Sequence, residues 1–382
     1  MLGIVACGET STSGAGGMVT DSAGVRIVQL PPATTISSRS LELDRSWIRD
    51  FELEVGHLGD VEPLPRGGAV VLDEMGGTIS VLGPSGELLV EFGQLGEGPG
   101  EFSPHGGISR LVATDTSLLV PDIQLQRTTE FSMDGEVLAI HPFPELDPAH
   151  GPVYGVEWRG HPEGGVVFRA LVPEGDVIVW ARDRTVDTLH HLQLPSSGPN
   201  ALLPPTPVWD VGPDGRVVVG RSDQGRIEAR MPGSESPHWI VHWPTEVREV
   251  SPGERDHLEG LMLASAEEQG LGGLPAAERE RILASVTLPE SAPVIASVLI
   301  DPRGGVWVQE ADSIPGMGRE ALRVGRAAGF GGDRWWVLGA DGLAEEVVTM
   351  PRGFSPRRFS GDCLYGILED ELGVQRPARV CR

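Results

Sequence analysis

The sequence predicts an all-β protein, a six-bladed β-propeller that carries a helical-hairpin insertion. Three observations predict it. A turn followed by a short β-rich run recurs six times along the chain, four times strongly and twice weakly. The shorter intervals are near 50 residues, a usual size for one propeller blade. The one long interval holds a helical pattern instead of another set of strands.

The strongest copies are Arg66-Gly67-Gly68 before Ala69-Val70-Val71-Leu72, Glu163-Gly164-Gly165 before Val166-Val167-Phe168, Asp214-Gly215 before Val217-Val218-Val219, and Arg303-Gly304-Gly305 before Val306-Trp307-Val308. Glycine tolerates the positive φ of tight hairpins, and Val-rich runs suit buried strands. Asp115-Thr116 before Leu118-Leu119-Val120 and Ser360-Gly361-Asp362 before Leu364-Tyr365 fill the gaps. The turns fall at 67, 116, 164, 214, 304 and 361, at intervals of 49, 48, 50, 90 and 57.

The interval of 90 contains Ser251-Pro252 followed by Glu254, which reads as a helix N-cap, an N1 proline and an early acid. His257, Leu258, Leu261, Met262 and Leu263 then recur at helical spacing, and Ile282, Leu283 and Val286 share a face of a second run. The insertion therefore spans 251–290. A second class of turn, at Ser85-Gly86, Asp134-Gly135 and Asp341-Gly342, is expected to join third and fourth strands. Phe51 to Gly56 is expected to supply an N-terminal strand that completes the last blade, since closure protects exposed edges. Gly24 to Leu30 is a further candidate strand.

Composition narrows the partners. The formal net charge is −25, which argues against nucleic acid and against docking on an anionic membrane through basic patches. Every basic residue is Arg, and Asn occurs only at Asn200. Without Lys there is no Schiff-base lysine and no phosphate-loop lysine. No apolar run approaches the roughly 20 residues of a membrane span. Membrane contact is expected only through an N-terminal anchor.

Ile4-Val5-Ala6-Cys7 resembles a bacterial lipobox, in which the cysteine becomes the lipidated first residue. Glu9 to Thr20 is rich in Ser, Thr and Gly, as a flexible tether would be. Residues 1–23 are read as signal remnant, lipobox and tether, and 24–382 as the propeller. The resemblance implies a lipid-anchored protein of the bacterial envelope, periplasmic or on the outer membrane. Cys363 and Cys381 lie in two candidate strands, each nine residues from Leu372. A hairpin centred there places them opposite one another, and an exported protein can oxidise such a pair.

The first two blades resemble NHL-type repeats, above all in Gly93-Gln94-Leu95-Gly96-Glu97-Gly98-Pro99-Gly100-Glu101-Phe102, then Pro104 and Gly107-Ile108. Asp122, Arg127 and Phe131 match that pattern, with Leu125 where the family has Asn. Asp73, Ile79 and Val81 match in the first blade, while Gly76 and Thr78 depart from it. The resemblance implies scaffold roles: the Asp caps a turn, and the Arg can bond to it. The run Tyr365 to Val374 is similar to the last blade of an uncharacterised group of bacterial envelope propellers.

Candidate binding residues are those expected near the central channel: Glu62, His105, Glu157, Trp158, Trp209, Asp210, Arg357 and Arg358, with His57 at a similar position. Such a set suits a sugar, a peptide or a small anion. The plainer reading is ordinary channel polarity with bound water. His190-His191 looks metal-like, but adjacent strand residues point to opposite faces. His238, Trp239, His242 and Trp243 read as a packed aromatic strand.

No Gly-x-Ser-x-Gly elbow, His-Glu-x-x-His pair or phosphate loop is present. Some six-bladed propellers are calcium lactonases or metal lyases with rings of Glu, Asp, Asn or His around the channel. A lone Asn200 fits the calcium version poorly. The expectation is a monomeric binding or interaction module of the cell envelope, without cofactor or metal. Its partner would be an envelope protein, a peptide or a saccharide. The alternative is a metal-dependent hydrolase or lyase sited at the channel.

Overall fold

The computed structural model describes residues 11–47, 57–105, 107–108, 110–144, 154–172, 175–182, 185–194, 201–245, 247–268, 275–317 and 331–382. Four short strands precede the repeats: β1 (Ser11–Gly14), β2 (Gly17–Ser22), β3 (Val25–Gln29) and β4 (Ser38–Ser40). Blade I follows as β5 (Leu58–Pro63), β6 (Ala69–Asp73), β7 (Thr78–Leu82) and β8 (Leu88–Phe92). The crossing to blade II contains a small parallel pair, β9 (Gln94–Leu95) and β10 (Glu101–Phe102). Blade II is β11 (Val112–Ala113), β12 (Ser117–Asp122), β13 (Arg127–Ser132) and β14 (Val137–Pro142).

Blade III is β15 (Tyr154–Gly160), β16 (Val166–Leu171), β17 (Val177–Arg182) and β18 (Thr185–His191). Blade IV is β19 (Pro207–Val211), β20 (Val217–Arg221), β21 (Arg226–Arg230) and β22 (Trp239–His242). The insertion then forms α1 (Pro252–Glu268) and α2 (Ala276–Ser285). Blade V is β23 (Ile295–Ile300), β24 (Val306–Ala311), β25 (Gly331–Leu338) and β26 (Ala344–Thr349). Blade VI is β27 (Phe354–Ser360), β28 (Cys363–Glu369) and β29 (Gln375–Cys381).

All six predicted turns join the first and second strands of a blade, and the second turn class joins third to fourth strands as expected. Gly67, Gly164, Gly215, Gly304 and Gly361 hold φ between +56° and +88° there, a region where a Cβ is costly.

The core lies in the seams between blades. Blades I and II meet over Leu72, Phe102 and Phe131; II and III over Val112, Trp158 and Phe168; III and IV over Ile178, Trp209 and Val219. Blades IV and V meet over Trp239, Trp336 and Val308; V and VI over Trp307, Leu364 and Val380; VI and I over Tyr365, Ile367 and Val61. Six seams in cyclic order close the ring.

Gly24 to Leu30 contains the expected strand, β3, and the stretch before it, expected as a tether, carries strands as well. β1 and β2 form a hairpin, and β3 adds in parallel to β22, with Ile27 opposite Ile240 and Val28 opposite Val241. β4 adds in parallel to β26, and Leu43 bridges Val380. Asp44 then pairs with Arg379 at 2.8 Å, and Trp47 sits edge-on to Tyr365 at 5.4 Å. Residues 11–47 are thus a belt over the outer edges of blades IV, V and VI. An edge strand supplies unsatisfied N–H and C=O groups to any extended backbone, so a Ser- and Gly-rich segment suffices. The predicted closing strand Phe51–Gly56 and the lipobox cysteine Cys7 lie outside the described residues, as does Asn200.

The terminal hairpin matches its prediction. Cys363 pairs with Cys381 and Glu369 with Gln375 about a turn centred on Leu372, and Cys363 and Cys381 form a disulfide. The start of α1 also matches. Ser251 N–H donates to Glu254 Oε2 at 2.9 Å and Glu254 N–H returns to Ser251 Oγ at 3.4 Å, a reciprocal capping box. Arg248 grips the same carboxylate through both terminal nitrogens at 2.6 Å. With these bonds, the Arg248 bond foremost, the Glu254 carboxyl is held down to about 2. Leu258 of α1 is fully buried against a separate cluster with Ile314, Met317 and Ala296.

Candidate functional site

The inner strands line the channel with charge. β5 brings Asp60 and Glu62, β15 brings Glu157 and Arg159, β19 brings Asp210, and β27 brings Arg357 and Arg358. Arg110, just before β11, and Arg169 on β16 complete the set. Arg159 Nε donates to Asp210 Oδ1 at 3.0 Å. Arg169 reaches Glu157 Oε1 at 3.0 Å and Asp176 Oδ2 at 2.7 Å. Arg358 Nε stands 3.5 Å from Glu62 Oε2, and Arg110 and Arg357 stand 3.8 and 3.9 Å from Asp60 Oδ1.

Backbone groups complete the ring. Asp60 Oδ2 accepts from Leu111 N–H at 3.0 Å and Glu62 Oε1 from Ala113 N–H at 3.4 Å, both across the seam from blade I to II. Asp210 Oδ2 accepts from Ile300 N–H at 2.7 Å, from blade IV to V. Arg159 and Arg358 both donate to Trp158 O, each at 3.0 Å. The bonds of Asp60, Glu62 and Asp210 are clips between neighbouring blades, and that of Arg358 reaches from blade VI to blade III.

Burial and charge set the protonation. Burial pushes Glu62 up to about 7; Arg358 opposes the shift and Asp60 adds to it. Burial also opposes charge on Asp60, but Arg110, Arg358 and Arg357 outweigh it and hold that carboxyl below its usual range. For Glu157 burial is again overcome, here by Arg169, Arg159 and the indole N–H of Trp209, which donates at 2.7 Å. Burial and then Arg358 bring Arg159 down to about 10. Asp60 Oδ1 and Glu62 Oε2 are buried and accept no hydrogen bond from the described residues.

The predicted site residues divide. Glu62, Glu157, Asp210, Arg357 and Arg358 come together at the channel. Trp209 contributes its N–H but is buried at 2 % exposure beneath Arg159, so its ring offers no stacking platform. Trp158 points into blade III, stacked on Phe168 at 4.2 Å with its N–H on Gly155 O. His105 is exposed, takes part through its backbone N–H to Ser103 Oγ, and stands outside the charge network; His57 lies near Glu74. The reason for Trp158 is local. The register of β15 against β16 shifts between Val156 and Arg159, and Glu157 takes φ +59° there, which turns the two charged residues to the channel and the indole away.

Sequence reasoning missed Asp60, Arg110, Arg159 and Arg169. A signal for Arg159 exists. Glu62, Arg159 and Asp210 each stand five residues before the first glycine of their blade's turn, at Gly67, Gly164 and Gly215. Arg127 also differs from expectation. It donates to the carbonyls of Glu97, Gly98 and Glu101, while Asp122 caps its turn through Gln124 and Leu125 N–H.

The donor set does not suit calcium or another divalent ion. Calcium takes six to eight oxygens, yet each channel carboxylate already faces a guanidinium. Among the described residues no three His, Cys, Asp or Glu side chains gather as a ligand group. His190 and His191 pair with successive residues of β17 and so face opposite ways. A second concavity, about 390 Å³, lies where the insertion returns to blade V, between Leu203, Pro205, Arg221, Asp223, Leu288 and Pro289.

The class defined by seams and strand order is the six-bladed β-propeller. No family profile matches the sequence, and no curated protein matches it. The chain is similar to several solved structures at low identity. An exported-protein candidate of Bacteroides fragilis is 13% identical over 90% of this chain and 88% of its own, with a TM-score of 0.49. A calcium-binding regucalcin of Agrobacterium tumefaciens is 11% identical over 91% and 96%, with a TM-score of 0.45. A gluconolactonase of Xanthomonas campestris is 11% identical over 84% and 85%, with a TM-score of 0.44. At these TM-scores the likeness carries no argument about fold or chemistry.

Proposed function

We propose that the chain is a non-enzymatic binding or interaction module of the bacterial cell envelope, with a scaffold of NHL-like character. One observation carries this reading. The channel carboxylates that could serve a metal-dependent hydrolase or lyase each stand beside an Arg: Arg110 and Arg357 at Asp60, Arg358 at Glu62, Arg169 at Glu157 and Asp176, and Arg159 at Asp210. Such a channel is suited to hold the ring rigid and to present matched polar groups to a peptide, saccharide or small anion. The Cys363–Cys381 disulfide supports an extracytoplasmic address, since such bonds persist in oxidising compartments. The Ile4–Cys7 motif supports a lipid anchor there.

Metal analysis of purified full-length protein tests the reading, together with its melting temperature with and without added calcium. The expected result is substoichiometric metal and no calcium shift. A stoichiometric ion, or stabilisation by calcium through linkage, would overturn it in favour of channel chemistry.

A further inference from the structure

Among the described residues the belt covers three of the six outer edges and no strand covers the other three. Among the described residues β8, β14 and β18 end their sheets with no strand beyond them. Native proteins blunt such edges with charge or cover them. β18 follows that rule, with Thr185, Asp187 and Thr188 exposed along it. β8 and β14 break it: Leu88, Leu89, Val137, Leu138 and Ile140 are between 40 and 61 % exposed. The two edges adjoin, because Phe92 at the end of β8 packs on Phe131 of blade II at 5.1 Å, and Gly135 of the turn entering β14 abuts Phe92.

Charge tells what would cover them. Glu87 precedes β8 and Glu91 lies on it, whereas Glu97 and Glu101 of the crossing already have Arg127 beside them. Asp134 and Glu136 flank β14. A second copy, itself at −25, would bring like charge to this surface. A cationic segment would meet opposite charge. The chain also displays the mode of docking, since β3 adds to the outer edge of β22 through four consecutive residue pairs.

We propose that the outer edge of blade I, extended by the apolar residues of β14, is a docking surface for an extended cationic segment of a partner protein, which adds to β8 as a further strand. The two faces of the added strand differ, so its apolar side chains lie beside Val90 and Phe92, towards β14, and its cationic ones beside Leu89 and Glu91. This deepens the reading of the chain as an interaction module and rests on it. It does not involve the channel, so metal content and edge binding fail or hold separately.

The test uses a fluorescent, end-blocked decapeptide of alternating Arg and Val against the full chain by anisotropy. Saturable binding is expected, weakening as salt rises from about 50 to 500 mM. Proline in place of the central Val residues should abolish it, because a strand must donate N–H groups. Leu89→Arg should weaken binding about tenfold or more, whereas Thr188→Arg on the polar edge of blade III adds the same charge and should not. Both side chains are exposed, so melting temperatures should match wild type. Absence of saturable binding, equal binding of the proline peptide, or equal affinity of Leu89→Arg overturns the proposal. A dimer that Leu89→Arg dissolves would assign the edge to a second copy and overturn it too.

Discussion

Asp210 joins three blades through one carboxylate. Its Oδ1 takes the Nε–H of Arg159 from blade III at 3.0 Å, and its Oδ2 takes the N–H of Ile300 from blade V at 2.7 Å. Both side chains are largely buried. A buried ion pair contributes little net stability when replaced by apolar groups, yet removing one partner strands the other.

Asp210→Ala is therefore expected to cost about 3–5 kcal/mol, read from urea midpoints. Arg159 would remain as a buried cation and Ile300 N–H would lose its acceptor. A loss near zero would mean that water reaches Arg159 and that the clip between blades is not structural.

Glu62 gives a pH dependence of defined sign. Its carboxyl is raised from 4.5 to about 7 by burial, so its contribution to stability is fully present below 4.5 and is lost as pH rises through about 7. Wild type compared with Glu62→Gln should lose on the order of 2 kcal/mol between pH 5 and pH 8. Denaturation midpoints of the two proteins at both pH values check this. A difference that stays constant would show that Arg358 keeps the group ionised throughout.

The helical hairpin should be dispensable for closure. Leu258 anchors it to a cluster apart from the six seams. Replacing 251–290 with a short Gly-Ser linker should leave the β-rich circular dichroism spectrum intact, lower the melting temperature, and increase dye binding at Ile314 and Met317. Failure of the variant to fold would show that the helices complete a blade seam.

Lipidation at Cys7 is expected when the full-length gene is expressed in a bacterial host. Intact-mass measurement should find a diacylglyceryl-modified N-terminus, lost in Cys7→Ala. An unmodified soluble chain that keeps Met1 would remove the lipobox reading.

The blades were legible because their signals are local. A turn glycine at positive φ and the Val-rich strand after it need no knowledge of the rest of the chain, and the disulfide follows from a single hairpin register. The belt was hidden for the opposite reason. The strand at Gly24 to Leu30 was visible in its own apolar residues, but its place was not: β3 and β4 gain their positions from bare edges more than two hundred residues away, and the Ser-, Thr- and Gly-rich stretch of β1 and β2 resembles a tether. Within the channel, Glu62 and Asp210 were visible at blade positions that recur. Arg159 was obscured by the β15 bulge, which exchanges the faces expected for Trp158 and its neighbours. Arg169 was obscured because its partners Glu157 and Asp176 converge only in the folded sheet.

The belt also fixes an order of events. A ribosome releases residues 11–44 first, but the edges that receive them emerge in turn, β22 about two thirds of the way along the chain and β26 and β29 near its end. The opening segment must wait for its edges one at a time, and for the last of them while nearly the whole polypeptide is made. Each blade can assemble as it appears, but the fastening that spans three of them is the last to close. A chain truncated before Val380 would lack its final clasp.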